Sequence, residues 1–125
     1  MGSPRLTGLL DSVIVIEHLN GLSAAKAYLD EEATHLAISV ITRAEVLAGT
    51  NEPDLPRTKA LLDRFPLFDI DLAVADRAAE LRRKHRWRLP DALQAATAEL
   101  HGLKLVTRNT KDFPPAKHAL VLVPY

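Results

Sequence analysis

A chain of 125 residues can bury one sizeable core, and 47% hydrophobic with 26% charged residues is the balance of an ordinary soluble globular protein. The 16 basic and 16 acidic residues cancel, so any contact with nucleic acid has to come from local patches. Without cysteine, disulfide frameworks, thiolate zinc sites and a cysteine nucleophile are excluded.

No stretch approaches the roughly 18 uninterrupted apolar residues of a membrane span. Met1-Gly2-Ser3-Pro4-Arg5-Leu6 lacks the apolar core of a secretory signal, and Leu6 stands where a myristoylation pattern needs Ser or Thr. One cytoplasmic domain over residues 1–125 is expected.

Residues 6–10 read as a short buried strand stopped by Asp11. The run from Val13 to Leu19 fits strand or helix; Asp11-Ser12 as a cap and Asn20-Gly21 as a stop favour a short helix. Ser23 is expected to cap a second helix reaching about Glu32. Leu36 to Ile38 forms the next strand, and Ser39 caps a helix that ends at Gly49. Residues 51–56, with two prolines, form a loop, and a helix from about Pro56 to Phe65 is closed by Pro66. Leu67 to Ile70 makes a third strand, and residues 73–86 a well-patterned helix. Pro90 suits the first turn of another helix, Ala92 to Ala98 is strongly helix-forming, and Gly102 closes it. Leu103 to Val106 and Ala119 to Val123 complete the strands. Strands alternating with helices imply a mainly parallel central sheet covered on both faces, an α/β class three-layer α/β/α sandwich.

Ligands of such a sheet bind beyond the carboxyl ends of its strands. Asp11 follows the first strand there, and Thr107-Arg108-Asn109 follows the fourth; Glu45 and Asp91 lie on adjoining helices, and Asp112 lies just beyond. Each acid has an ordinary structural use as well. Asp11 can cap, Asp91 can complement a helix dipole, Thr42-x-x-Glu45 matches a capping box, and Asp112 suits a solvated turn. With Ser39 as the helix start, however, Glu45 falls mid-helix and has no capping task. Like charges brought together in a partly desolvated hollow raise one another's pKa, and a hard divalent cation relieves that cost.

Leu9-Leu10-Asp11-Ser12, the segment Ile38 to Gly49 with Thr42-Arg43-Ala44-Glu45, Leu89-Pro90-Asp91-Ala92-Leu93-Gln94-Ala95-Ala96-Thr97-Ala98, and Leu105-Val106-Thr107-Arg108-Asn109-Thr110-Lys111-Asp112-Phe113 resemble the PIN-domain ribonucleases, in particular the VapC toxins of toxin–antitoxin pairs. The resemblance implies an Mg²⁺- or Mn²⁺-dependent endoribonuclease, homodimeric and held inactive by a VapB-type antitoxin. The family's acidic positions carry over as Asp11, Glu45 and Asp91. The fourth reads Asn109, with Asp112 three residues on to supply the missing charge. The chain also has Val13 where the family often has Asn, and it lacks the common Gly before the third motif, around Trp87.

On this reading Asp11 and Asp91 bind the metal most directly and Glu45 adds a ligand or orients a water. Thr107 and Ser12 offer hydroxyls near it. Arg43, Arg108 and Lys111 are candidates for phosphate contact. Arg82, Arg83, Lys84, His85, Arg86 and Arg88 form a basic cluster with Trp87 as a base-stacking surface. Apolar residues of the first two helices offer a docking groove for the antitoxin. The five histidines show no zinc spacing, and no Gly-rich phosphate loop is present. Two rivals are a receiver-like phosphoacceptor, poorly matched because Lys104 begins its strand, and a catalytically impaired PIN-fold module that binds RNA or protein.

Overall fold

The computed structural model describes residues 5–125, so the reading of Met1 to Pro4 lies outside the described residues. The strands are β1 (Gly8–Leu10), β2 (Leu36–Ser39), β3 (Leu67–Phe68), β4 (Lys104–Val106) and β5 (Val121–Leu122). The helices are α1 (Ser12–Leu19), α2 (Ser23–Glu32), α3 (Val40–Ala48), α4 (Leu55–Leu62), α5 (Leu72–His85) and α6 (Leu89–Leu100), with short 3-10 turns at Ala33–His35 and Glu52–Asp54. The strands run in the order β3-β2-β1-β4-β5, and every pairing is parallel.

Alternation along the strands divides the core in two. Leu9, Ala37 and Leu105 face α5 and α6, where Val74, Ala78, Leu81 and the alanines of α6 pack with Trp87 and Phe113. Leu10, Leu36, Ile38 and Val106 face the opposite layer, with Ile14, Val15, Leu29, Val46 and Leu62. Small α6 residues let that helix lie close on the sheet: Ala92, Ala95, Ala96 and Ala98 are all fully buried. The three-layer arrangement is thus the one the sequence pattern implies.

Local signals act largely where expected. The Ser39 hydroxyl accepts from the Ile41 and Thr42 N–H groups, Pro90 sits in the first turn of α6, and Gly21 and Gly102 take left-handed φ values of 87° and 66° after α1 and α6. Strands β1 and β5 are shorter than expected, and three further details differ. Ser23 is the first residue of α2 and makes no side-chain cap. Helix α4 stops at Leu62, and the chain turns through Arg64 N–H to Leu61 and Phe65 N–H to Leu62 before Pro66. Strand β3 is only two residues long, because Asp71 is committed to capping α5 through the Val74 N–H at 2.9 Å.

β1 is central, and the chain leaves it first toward β2 and later returns on its other side as β4. The carboxyl end of β1 is therefore the point at which strand order reverses, where open parallel sheets form crevices.

Candidate active site

Asp11 stands at that crevice. Its backbone is extended (φ −73°, ψ 152°), and its carboxylate accepts from the Ser12 N–H at 2.8 Å, so it does cap α1. The cap engages Oδ1 and leaves Oδ2 to the Thr107 hydroxyl, which donates at 2.7 Å. That contact follows from register: Leu10 pairs with Val106, so the next residue on each strand meets its neighbour. Thr107 Oγ1 in turn accepts from the Asn109 N–H at 3.0 Å. Asp11 is only 8% exposed. The Thr107 hydroxyl, expected near the metal, is thus spent on holding Asp11.

Glu45 projects from α3 beside it, and the Ser12 hydroxyl donates to Glu45 Oε1 at 3.1 Å. Burial is the main reason the Glu45 carboxyl titrates above the ordinary range; the Ser12 bond opposes it, and the negative charges of Asp11 and Asp91 add to it. Asp91, in the first turn of α6, is 7% exposed. Its carboxyl is likewise raised by burial, opposed by the charge and hydrogen bond of Arg88 (Nε to Oδ2, 3.3 Å) and reinforced by Asp11 and Asp112. Four acids from four separate stretches of chain therefore bear electrostatically on one edge of the sheet.

Asn109 and Asp112 form one turn. The Asn109 amide donates to Asp112 Oδ2 at 2.9 Å, and Asn109 Oδ1 accepts from the Asp112 N–H at 3.3 Å. The Asp112 carbonyl accepts from the Trp87 indole at 2.7 Å. Trp87 is 6% exposed, stacked by His85 and packed on Phe113, so it presents no open face to a base and supports the turn from behind. Two proposed phosphate contacts are otherwise engaged. Arg43 pairs with Asp63 at 2.8 Å, and Arg108 reaches Glu17 at 3.2 Å and the Tyr125 carbonyl at 2.6 Å. Lys111 and Arg88 are exposed.

The sequence reading passed over Gln94. One helical turn after Asp91 and 2% exposed, it accepts from the Ser39 hydroxyl at 2.5 Å and donates to Thr42 Oγ1 at 2.6 Å, with a long contact of 3.5 Å to Asp11 Oδ1. Thr42 Oγ1 donates to the Leu10 carbonyl at 3.0 Å. The available signal was an i, i+3 pair, Asp91 and Gln94, inside an otherwise alanine-rich buried helix.

Among the described residues no three His, Asp or Glu side chains already form a coordination set. The donor chemistry nevertheless suits a small hard cation, which needs only one or two carboxylates and keeps several waters. Two carboxyl groups whose ionised forms are disfavoured by burial and by like charge are what such an ion would stabilise.

The PIN domain family matches residues 9–117 of the chain. Ribonuclease VapC10 of Mycobacterium tuberculosis is 34% identical over 113 residues, 85% of this chain and 85% of that protein. Ribonuclease VapC19 of the same organism is 32% identical over 114 residues, 85% of this chain and 91% of that protein. Among solved structures, a toxin–antitoxin complex from Klebsiella pneumoniae superposes with a TM-score of 0.87 at 39% identity, covering 95% of this chain and 98% of that one. FitAcB from Neisseria gonorrhoeae follows with a TM-score of 0.76 at 27% identity, covering 94% and 98%. Sequence and architecture agree, and the chain belongs to the PIN-domain family, among the relatives of the VapC ribonucleases.

Proposed function

We propose that this protein is an Mg²⁺- or Mn²⁺-dependent endoribonuclease, the toxin of a toxin–antitoxin pair, acting in the cytoplasm as a homodimer. The observation that carries this reading is the pair of nearly buried carboxylates, Asp11 and Asp91, at the strand-order reversal, with Glu45 and Asp112 close enough to act on their surroundings. Asp11 and Asp91 would hold the ion. Bound there, the cation would neutralise charge on a scissile phosphate and acidify a water. Glu45, its affinity for protons raised by burial, is suited to orient that water and accept its proton as the water oxygen bonds to phosphorus; the bond to the leaving ribose oxygen would break, and that oxygen would take its proton from solvent. Asp112 completes the negative edge, and Asn109 fixes its carboxylate. Arg88, exposed and paired with Asp91 at 3.3 Å, and the exposed Lys111 beside Asp112 are the cations left for an incoming phosphate.

The antitoxin is expected in a groove of about 200 Å³ that α1 forms with α3 and α4; of the two helices expected from the sequence to form it, α2 does not line it. Ile16 and Leu19, 38% and 41% exposed, give it an apolar wall of the kind an amphipathic helix covers.

Cleavage of a mixed RNA substrate with added Mg²⁺ or Mn²⁺, and with EDTA, tests the chemistry. Asp11→Asn and Asp91→Asn should each lower the rate by more than about 100-fold while the circular dichroism spectrum is kept. Full activity in EDTA, or in both variants, would reject the assignment. A folded parent that binds RNA without cutting it under any metal would favour the impaired binding module.

A further inference from the structure

We infer that Gln94 is a positioning residue for the cation site: its carboxamide locks together the three elements that carry Asp11, Glu45 and Asp91. The inference rests on the metal-site reading above and goes beyond it. Gln94 lies on α6 one turn from Asp91; it is bonded to Thr42, one turn before Glu45 on α3, and through Thr42 to the carbonyl of Leu10, next to Asp11. The Ser39 bond ties the same amide to the end of β2. All three side chains are buried, so none can exchange its partner for water.

The backbone dictates the direction of every bond in this cluster. The Ser39 hydroxyl accepts from two N–H groups, Ile41 and Thr42, so its proton is left to donate to Gln94 Oε1. The Thr42 hydroxyl spends its proton on the Leu10 carbonyl, so it must accept from Gln94 Nε2. Only one orientation of the carboxamide satisfies both, and it turns the remaining N–H toward Asp11 Oδ1. With the Ser12 N–H on Oδ1 and the Thr107 hydroxyl on Oδ2, two of about four acceptor sites on the carboxylate are taken, and the Gln94 N–H faces a third, on Oδ1, at 3.5 Å. The unused one is on Oδ2. Gln94 thereby biases Asp11 toward offering a cation that oxygen, while holding α3 at the distance that brings Glu45 alongside.

The test is Mn²⁺ binding without RNA, by calorimetry, on the parent and on Gln94→Met, which keeps an unbranched side chain but makes none of the three bonds. Urea unfolding of the same samples separates affinity from stability. A dissociation constant about 10- to 100-fold weaker in molecules that remain folded is expected. A purely structural role would lower the urea midpoint and leave the constant within twofold of the parent, which would overturn the inference. If Gln94→Met does not fold, Thr42→Val removes the link to α3 at almost constant volume and is judged by the same twofold criterion. A parent that binds no Mn²⁺ would instead overturn the metal-site reading itself, and this inference with it.

Discussion

Gly8 is the position where the sheet leaves no room for a side chain. A Cβ there would lie 2.7 Å from Val106 Cγ2 and 2.9 Å from Leu36 Cδ2, both in the buried layer. Leu36 can turn its methyl aside, but the β-branched Val106 has no second low-energy position on a strand. Overpacking of this kind costs about 1–3 kcal/mol, and the stiffer unfolded chain of an alanine variant returns about 0.4–1 kcal/mol. Gly8→Ala should therefore lose about 1–2 kcal/mol, a fall in Tm of about 4 °C per kcal/mol for a chain of this length. Urea unfolding should show a lower midpoint with an unchanged slope. Val106→Ala alone also destabilises, but the double variant should be more stable than the sum of the two losses implies, by about 1 kcal/mol. If β1 and β4 relieve the clash by separating, the Asp11–Thr107 bond opens and cleavage falls along with stability. A variant as stable as the parent, or losses that add within about 0.4 kcal/mol, would refute the packing argument.

Glu45→Gln should raise metal-free stability at neutral pH. The folded protein holds the Glu45 proton more tightly than the unfolded chain, so the parent loses stability as pH rises from the ordinary glutamate value of 4.5 through the raised folded value. The variant lacks that loss, so its advantage should vanish below the window; an advantage independent of pH would contradict the cause given. Added Mn²⁺ should stabilise the parent more than the variant, visible as a larger rise in Tm. Arg86 ends α5 with φ 58°, in the left-handed region that costs a side chain about 1–2 kcal/mol. Arg86→Gly should raise Tm by about 4 °C in a thermal melt, and an unchanged or lower Tm would mean that contacts of the arginine offset the strain.

That arginine also shows where the sequence was legible and where it was not. The family's customary glycine before the third motif is missing around Trp87, and the backbone still makes the left-handed turn there, at Arg86. Local punctuation survived because caps and stops act within a few residues: Ser39, Gly49 and Pro90 need only their own helix to work. Strand ends did not, because the length of β3 depends on Asp71 turning to cap α5 and that of β5 on how the chain returns after Pro114. Trp87 misled for a similar reason. Flanked by arginines it reads as a surface ring, yet Phe113 and His118, distant in sequence, close over it. The cations Arg43 and Arg108 looked available only because Asp63 and Glu17 lie 20 or more residues away from them.

The departure at Asn109 is the place where fold and site argue together. Read as a lost carboxylate, it removes one negative charge from the edge of the sheet. The hydrogen bonds give it another use: the Asn109 backbone steadies Thr107, which holds Asp11, while the amide side chain holds both the backbone and the carboxylate of Asp112. A carboxylate at position 109 could accept from the Asp112 N–H but could not donate to Oδ2, and it would face Asp112 as a like charge. The charge of Asp112 bears on both Asp91 and Arg88, so it already acts at the site. Asparagine at 109 and aspartate at 112 thus form one interdependent pair, in which the neutral residue donates to the carboxylate whose charge bears on Asp91. Restoring an acid at 109 should weaken this turn, not improve the site.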